Sequence, residues 1–288
     1  MMVLTGHTEP VNRLAFSPDG GMLASAGDDG CIWLWDLYAQ TSLARISWGA
    51  KWVFTVAFSP DGQILAAGTE SSLLLLHAEG QDWKPFHQSR EHQGWVTAVA
   101  FSSQEQLVAS GGADGTVKFW DSAQRRKHAL RTITGNLGLV RGVAFSPGGP
   151  AIAVGGTSGI GMWTATEEEP IVFHHLGDAD LRAIAFTADG SALLAPVGRG
   201  LLAVDLETSQ TRSLCRSPGK FTRSVAAAPD GRFLTGRDDG VVQVWDEAGA
   251  IACSYQWHDG AVNALAVSPT GAIAASAGDD FDVVVWDL

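Results

Sequence analysis

The sequence predicts an all-β protein in which one four-stranded antiparallel unit recurs seven times and closes into a ring. Three observations predict it. A pattern of apolar-x-x-apolar-Ala-apolar returns seven times along the chain, a Ser-Pro-Asp-Gly-like turn follows most copies, and a Trp-Asp pair ends a later strand in four of them. The pattern reads VNRLAFSPDG from Val11, VFTVAFSPDG from Val53, VTAVAFSSQE from Val96 and VRGVAFSPGG from Val140. It continues as LRAIAFTADG from Leu181, TRSVAAAPDG from Thr222 and VNALAVSPTG from Val262. Successive starts lie 42, 43, 44, 41, 41 and 40 residues apart, with no gap in the series.

Each unit carries the same elements in the same order. The first strand ends at a turn where proline presets φ and glycine accepts a positive φ. A second, small-residue strand follows, such as MLASAG from Met22 or LVASGG from Leu107. An Asp/Gly-rich turn leads to a third strand, ending in Trp35-Asp36, Trp120-Asp121, Trp245-Asp246 and Trp286-Asp287. A short fourth strand, such as SLARIS from Ser42, completes the unit. No segment shows the sustained 3.6-residue periodicity of a helix. Four short strands per repeat of about forty residues is the pattern of a β-propeller blade. The units begin near residues 6, 48, 91, 135, 176, 217 and 257, so residues 1–288 are expected to form one seven-bladed β-propeller domain. Unit seven stops at Leu288 without a fourth strand, while Met1–Thr5 precedes the first unit. Val3 and Leu4 are therefore expected to complete the last blade and to cover its edge.

A second pattern lies inside the units. His7, Ser25, Asp29 and Trp35 in unit one are matched by His92, Ser110, Asp114 and Trp120 in unit three, and by His258, Ser276, Asp280 and Trp286 in unit seven. In all three the offsets from histidine are 18, 22 and 28 residues. Ser, His and Asp could suggest a nucleophilic triad, but an active site is needed once and this set recurs in equivalent places, always with tryptophan. These residues resemble the WD-repeat (WD40-type) family over the whole chain, most closely in units one, three and seven, fairly in six, and weakly in two, four and five. The resemblance implies closure of the ring by the N-terminal strand. It also implies a buried chain in each such blade, from indole N–H to hydroxyl to imidazole to carboxylate. Unit six keeps Thr235, Asp239 and Trp245 but has Pro218 at the histidine position. Unit two has His77 or Leu76 at the tryptophan position, unit four keeps Trp163 alone, and unit five has Val204-Asp205.

Composition narrows the function. The net charge is −12, from 31 acidic and 19 basic side chains, which disfavours phosphate backbones as partners. Cys31, Cys215 and Cys253 have no Cys-x-x-Cys spacing and read as small buried residues, in neither a disulfide framework nor a zinc site. There is no signal-peptide pattern at the start, no apolar run of membrane-spanning length and no Asn-x-Ser/Thr sequon, which points to a soluble cytoplasmic protein. His174-His175 with Asp178 and Asp180 match no metal spacing and read as a solvated loop. GGTSGIG from Gly155 lacks the lysine and following helix of a phosphate loop and reads as a turn between strands. Glu167–Glu169 and QRRKH from Gln124 read as exposed polar surface.

A non-catalytic scaffold for a protein or peptide is the expected function. The alternatives are a regulatory or sensory propeller acting with a separate catalytic partner, or a small-ligand-binding or enzymatic propeller. No cofactor, metal, nucleic acid or membrane is expected, and the chain is expected to be monomeric in isolation. In the family it resembles, the residues flanking the first valine of each unit lie at one mouth of the channel. Carried over, the following residue is Asn12, Phe54, Thr97, Arg141, Arg182, Arg223 and Asn263, and the preceding residues include Trp52, Trp95 and Asp180. Trp52, Phe54 and Trp95 on blades two and three, with Arg141, Arg182 and Arg223 on blades four to six, form the candidate partner site. Aromatic residues and arginine are the types that anchor interfaces. The competing reading is that these side chains pack between blades or pair with Asp180, Asp238 and Asp28.

Overall fold

The structure, a computed structural model, describes residues 1–80, 82–123, 128–164, 170, 172–176, 181–216 and 220–288. Among them every regular element is a strand, and the strands form seven four-stranded sheets. In blade one, Val11–Phe16, Met22–Gly27, Cys31–Asp36 and Thr41–Ser47 pair antiparallel in sequence order. The turn after Phe16 shows why the recurring sequence folds as it does. Ser17 donates its hydroxyl to Asp19 at 2.5 Å, Asp19 accepts the Gly21 N–H at 3.0 Å, and Gly20 adopts φ 73°. Blade two repeats this turn with Ser59, Asp61 and Gly62, and blade five with Thr187, Asp189 and Gly190. Hydrogen bonds from Thr187 and Ser191 hold the Asp189 carboxyl down at a pKa of about 2.

The first strands of successive blades pack against one another around the ring, and that of blade seven, Val262–Val267, packs against Val11–Phe16 of blade one. They line the central channel. Seven apolar clusters occupy the seven seams, each drawing side chains from two neighbouring blades. The ring closes as the sequence predicts. Met2–Leu4 lies antiparallel to Val283–Asp287, with Met2, Val3 and Leu4 opposite Val285, Val284 and Val283, and Leu4 is buried.

Several details differ from the sequence reading. The first strand of blade five is only Ala185–Phe186. The strand it pairs with carries Pro196, which has no N–H to give a ladder, opposite the missing portion. His174 and His175 lie in a strand rather than a loop. Val172–His175 is the outer strand of blade four and covers an edge that Gly159–Thr164 would otherwise expose. The His175 Nδ1–H donates to the Ser158 carbonyl at 2.7 Å. GGTSGIG is, as the sequence reading has it, a turn between two strands, with Thr157 and Ser158 between Gly156 and Gly159. At the tryptophan position of blade two stands Leu76, opposite Leu65, while His77 takes the aspartate position beside it. Cys31 and Cys215 are buried, but Cys253 is exposed because it sits in the outer strand Ile251–Gln256, whose side chains mostly face solvent. Asp178, Asp180, Glu167–Glu169, Pro218 and residues 124–127 of QRRKH lie outside the described residues.

Removing Met1–Thr5 should uncover the Val283–Asp287 edge together with the apolar seam behind it, lowering the melting temperature and promoting aggregation. Thermal melts and light scattering of the truncated chain check this, and unchanged behaviour in both would contradict the role given to the strand.

Candidate functional site

The repeated histidine, serine and aspartate residues form hydrogen-bonded chains inside the blades. In blade one the His7 Nδ1–H donates to Asp29 at 3.0 Å, because a carboxylate can only accept. The Ser25 hydroxyl donates to His7 Nε2 at 2.8 Å and accepts the Trp35 indole N–H at 2.9 Å. Blade three repeats the chain with His92, Asp114, Ser110 and Trp120 at 3.1, 2.8 and 2.8 Å. Asp114 also accepts from the Gln93 amide at 2.8 Å and the Thr116 hydroxyl at 2.7 Å. Desolvation opposes the Asp114 charge, but these donors and His92 outweigh it, so its pKa lies below the ordinary carboxylate value. Burial is the main influence on His92 and lowers its pKa, which favours the neutral ring. Each serine is fully buried and committed to two partners.

Blade seven departs from the expected chain. His258 bonds Asp280 at 2.8 Å and Ser276 at 2.6 Å, yet the Trp286 indole N–H is buried with no hydrogen-bond partner among the described residues. The residue before the histidine explains this. It is Gly6 in blade one, where an added Cβ would lie 3.0 Å from the Trp35 ring. It is Trp257 in blade seven, and its ring centroid sits 4.4 Å from that of Trp286, filling that space. In blade three Glu91 avoids the conflict by turning outward to His128 at 2.9 Å. Blade six keeps only the bond from Trp245 to Thr235, at 2.8 Å, while Asp239 takes a bidentate pair from Arg237 at 2.6 and 3.0 Å.

The other candidate site lies at the channel mouth. The residue after the first valine position, in all seven blades, lines one cavity of about 260 Å³: Asn12, Phe54, Thr97, Arg141, Arg182, Arg223 and Asn263. Pro10, Arg13, Asp28 and Asp279 complete the lining. The three arginines, about forty residues apart in sequence, thus meet in space. Phe54 faces two ways. It borders the cavity and also packs against Trp95 and Trp52, with ring centroids 5.4 and 6.2 Å away. Trp52 and Trp95 are 6.1 Å apart, and Trp95 is 42% exposed. The Glu70 carboxylate accepts the Lys51 and Trp52 amides at 3.0 and 3.3 Å, fixing the loop that presents Trp52.

Of the acidic residues considered as partners for the arginines, Asp28 accepts from Asn12 at 2.7 Å, and Asp238 accepts the Phe221 amide at 3.2 Å. Asp279 accepts from Asn263, also at 2.7 Å. Asn12 further donates to the Val53 carbonyl of the next blade at 3.1 Å. Thr97 donates to the Val140 carbonyl, and Ser224 to the Val262 carbonyl at 2.9 Å, so polar side chains stitch neighbouring blades together around the channel. Arg13 was not among the sequence candidates. The signal for it was one column further on, where the other six units have the small residues Thr55, Ala98, Gly142, Ala183, Ser224 and Ala264. Larger clefts of about 500 and 470 Å³ lie at the opposite ends of the blades, walled by the Ser-Pro-Asp-Gly-type turns. Among the described residues no three His, Cys, Asp or Glu side chains are placed to hold a metal ion, and no helix is long and apolar enough to cross a membrane.

Seven four-stranded blades with repeated Trp–Ser–His–Asp chains define a Trp-Asp-repeat propeller. The profile described as WD domain, G-beta repeat matches residues 1–36, 42–76, 83–121, 211–246 and 249–287, and the chain belongs to that family. The matches leave out blade four and most of blade five, which also lack the hydrogen-bonded chain. Among curated relatives, the nuclear distribution protein PAC1 of Arthroderma benhamiae is 28% identical over 301 residues, covering 99% of this chain and 60% of that protein. Telomerase protein component 1 of Mus musculus is 27% identical over 289 residues, covering 98% of this chain and 10% of that protein. The small ribosomal subunit protein RACK1y of Oryza sativa subsp. japonica is 34% identical over 122 residues, covering 41% of this chain and 36% of that protein. The chain therefore spans about 60% of the length of its PAC1 relatives.

Two stability measurements follow. Asp114→Ala strands buried donors and should cost about 1–3 kcal/mol. Asp82→Ala should leave the denaturation midpoint unchanged; Asp82 opens the outer strand of blade two, rather than lying in a loop, and its side chain is exposed. Equal midpoints for the two variants would contradict the buried chain. Trp120→Phe removes a made hydrogen bond, whereas Trp286→Phe removes an indole N–H that has no partner among the described residues. Denaturant titration should therefore find Trp120→Phe the more destabilised, by about 1 kcal/mol.

Proposed function

We propose that this protein is a non-catalytic scaffold that holds an extended peptide segment of a protein partner across the channel mouth. Trp52, Phe54 and Trp95 take an apolar anchor over blades two and three. Arg141, Arg182 and Arg223 take acidic or phosphorylated groups over blades four to six. The observation that carries this reading is the position of Phe54, which belongs both to the aromatic cluster and to the arginine-lined cavity, making them one continuous surface. Aromatic and arginine side chains are enriched at interface centres, and guanidinium forks match carboxylate and phosphate oxygens. The −12 net charge makes a local cluster of arginines a selective feature, since the rest of the surface repels acidic ligands. By name, the rice relative is a small ribosomal subunit protein and the mouse relative a telomerase protein component, two different assemblies, in keeping with a reusable platform.

Affinity capture from a lysate of the source cells, with identification of the bound protein, tests the site. Replacing Arg141, Arg182 and Arg223 together by alanine should abolish capture while leaving the melting temperature nearly unchanged. Capture at native affinity by the triple variant at ordinary salt would move the site elsewhere.

A further inference from the structure

At the end of the ring away from the channel mouth, three seams are closed by a leucine. It follows the Trp-Asp position in blades one, five and seven, as Leu37, Leu206 and Leu288. Their amides donate to the carbonyls of Gly21, Ser191 and Ala272 at 3.1, 2.9 and 2.9 Å, and each side chain packs on the apolar cluster shared with the preceding blade. Blade two has Ala78 there, and Trp83 packs into that seam instead, with its ring centroid 5.8 Å from that of Phe58. In blade four the position is Ala165, outside the described residues. Blades three and six have Ser122 and Glu247, and it is at their seams that the clefts of about 500 and 470 Å³ open.

The cleft between blades five and six lacks more than the leucine. Ala192 stands where the strand register puts Met22 in blade one and Ile64 in blade two, and Ala203 stands where it puts Leu34 and Leu75. Ala227, in the same seam, stands where four other blades have Phe16, Phe58, Phe101 and Phe145. What remains is an apolar floor of Leu194, Leu214 and Phe233. The rim carries the carboxylates of Asp189, Asp230 and Glu247 against one cation, Arg212. Asp230 is held by Arg232 at 2.7 Å. Asp189 accepts from Thr187 and Ser191 through Oδ1 alone, which leaves Oδ2 for an incoming donor. The other seams show what fits such a cleft, namely a leucine side chain carried on an extended segment. The charge of the rim selects a basic neighbour for it. In an extended chain, residues two apart face the same side and lie about 7 Å from each other. The exposed leucines of a second copy, Leu43 and Leu130, have their backbones engaged in their own blades, which favours a segment of a different chain. We propose that the cleft between blades five and six is a second docking site, independent of the channel mouth. It takes a leucine from an extended segment of a partner protein, with a lysine or arginine two residues along reaching Asp189 and Glu247.

The test uses the full chain and three immobilised degenerate peptide libraries with Leu-x-Arg, Ala-x-Arg or Leu-x-Glu fixed at the centre. The Leu-x-Arg library should be retained better than the other two by about tenfold or more, the range for burying one leucine side chain. Glu247→Leu supplies the closing residue of blades one, five and seven, and should abolish retention while raising the melting temperature. Ala203→Leu should block the cleft from its other wall. Glu247→Gln leaves the cleft open and should weaken Leu-x-Arg retention by about threefold. Replacing Arg141, Arg182 and Arg223 together should change nothing, which separates this site from the channel mouth. Equal retention of Leu-x-Arg and Leu-x-Glu, or retention that survives both leucine variants, would overturn the proposal, as would failure to retain any library. Retention lost only in the triple arginine variant would put the peptides at the channel mouth and overturn the second site. Self-association that Glu247→Leu abolishes, with no library retained, would assign the cleft to a second copy and overturn the partner segment.

Discussion

A blade of this protein is apolar on both faces of its sheet, and only its two neighbours can cover it. Everything else in the architecture depends on that packing. The second strands are buried almost from end to end, as in Met22–Gly27 and Ala151–Gly156, where five consecutive residues are buried in each. Such two-sided burial is available only inside a stack, as for repeat proteins in general. A linear stack would leave two uncovered faces, so the ring closes, and the seam between blades seven and one holds Leu4 beside Val11, Leu14 and Trp35. The spacing of the seams restricts residue size. At Gly111 an added Cβ would fall 2.3 Å from the Val140 side chain of the next blade, and at Gly236 it would fall 2.6 Å from that of Val262.

Against that background the histidine chains refine the blades rather than create them. Blades two, four and five have no such chain and still pack into the same ring, with Leu76, Trp163 and Val204 buried at the position that Trp35 occupies in blade one. What the chains supply is a fixed place for the turn between the second and third strands. Asp29 accepts the Cys31 amide at 3.1 Å, and Asp114 accepts the Thr116 amide at 3.0 Å, so each carboxylate ties its turn to a histidine from the start of the unit. A buried chain of this kind is favourable when every member is satisfied. Blade seven shows how locally that condition is met. The backbone register of Ala274 opposite Trp286 matches that of Leu23 opposite Trp35, and the difference lies beside it, where Trp257 packs its ring on that of Trp286.

The blade count, strand order and closure were legible because they follow from a period and from turn chemistry, both of which a single sequence displays seven times. The histidine, serine and aspartate contacts were legible through repeated offsets. Where the reading failed, the cause lay between units rather than within one. The Trp257–Trp286 contact requires knowing that position 6 faces position 35, which the glycine in unit one conceals. The shortened first strand of blade five depends on Pro196 in the strand beside it. His174 and His175 were misplaced because fourth strands carry little pattern of their own, being half exposed and held mainly by backbone bonds to the third strand. Arg13 is hard to read as a channel residue because the other six units have small side chains in its column, the second after the first valine.

The same geometry explains why blades that have drifted furthest from the repeat can carry the candidate site. The residue after the first valine points into the channel, while the hydrogen-bonded chain links the start of the unit to its second and third strands. A substitution at the channel position therefore leaves the hydrogen-bonded chain of its blade untouched. Blade two holds Phe54 without a histidine chain, and blades four and five hold Arg141 and Arg182 without one. Asn12, Thr97 and Ser224 mark the opposite use of these inner positions, each donating to the first carbonyl of the next blade and so reinforcing the ring. The inner wall thus serves two uses, facing the channel and tying blades together, and Asn12 and Thr97 combine them. A ring of equivalent positions, outside the hydrogen-bonded chains of the blades, is what allows aromatic and cationic side chains from distant parts of the sequence to assemble into one surface.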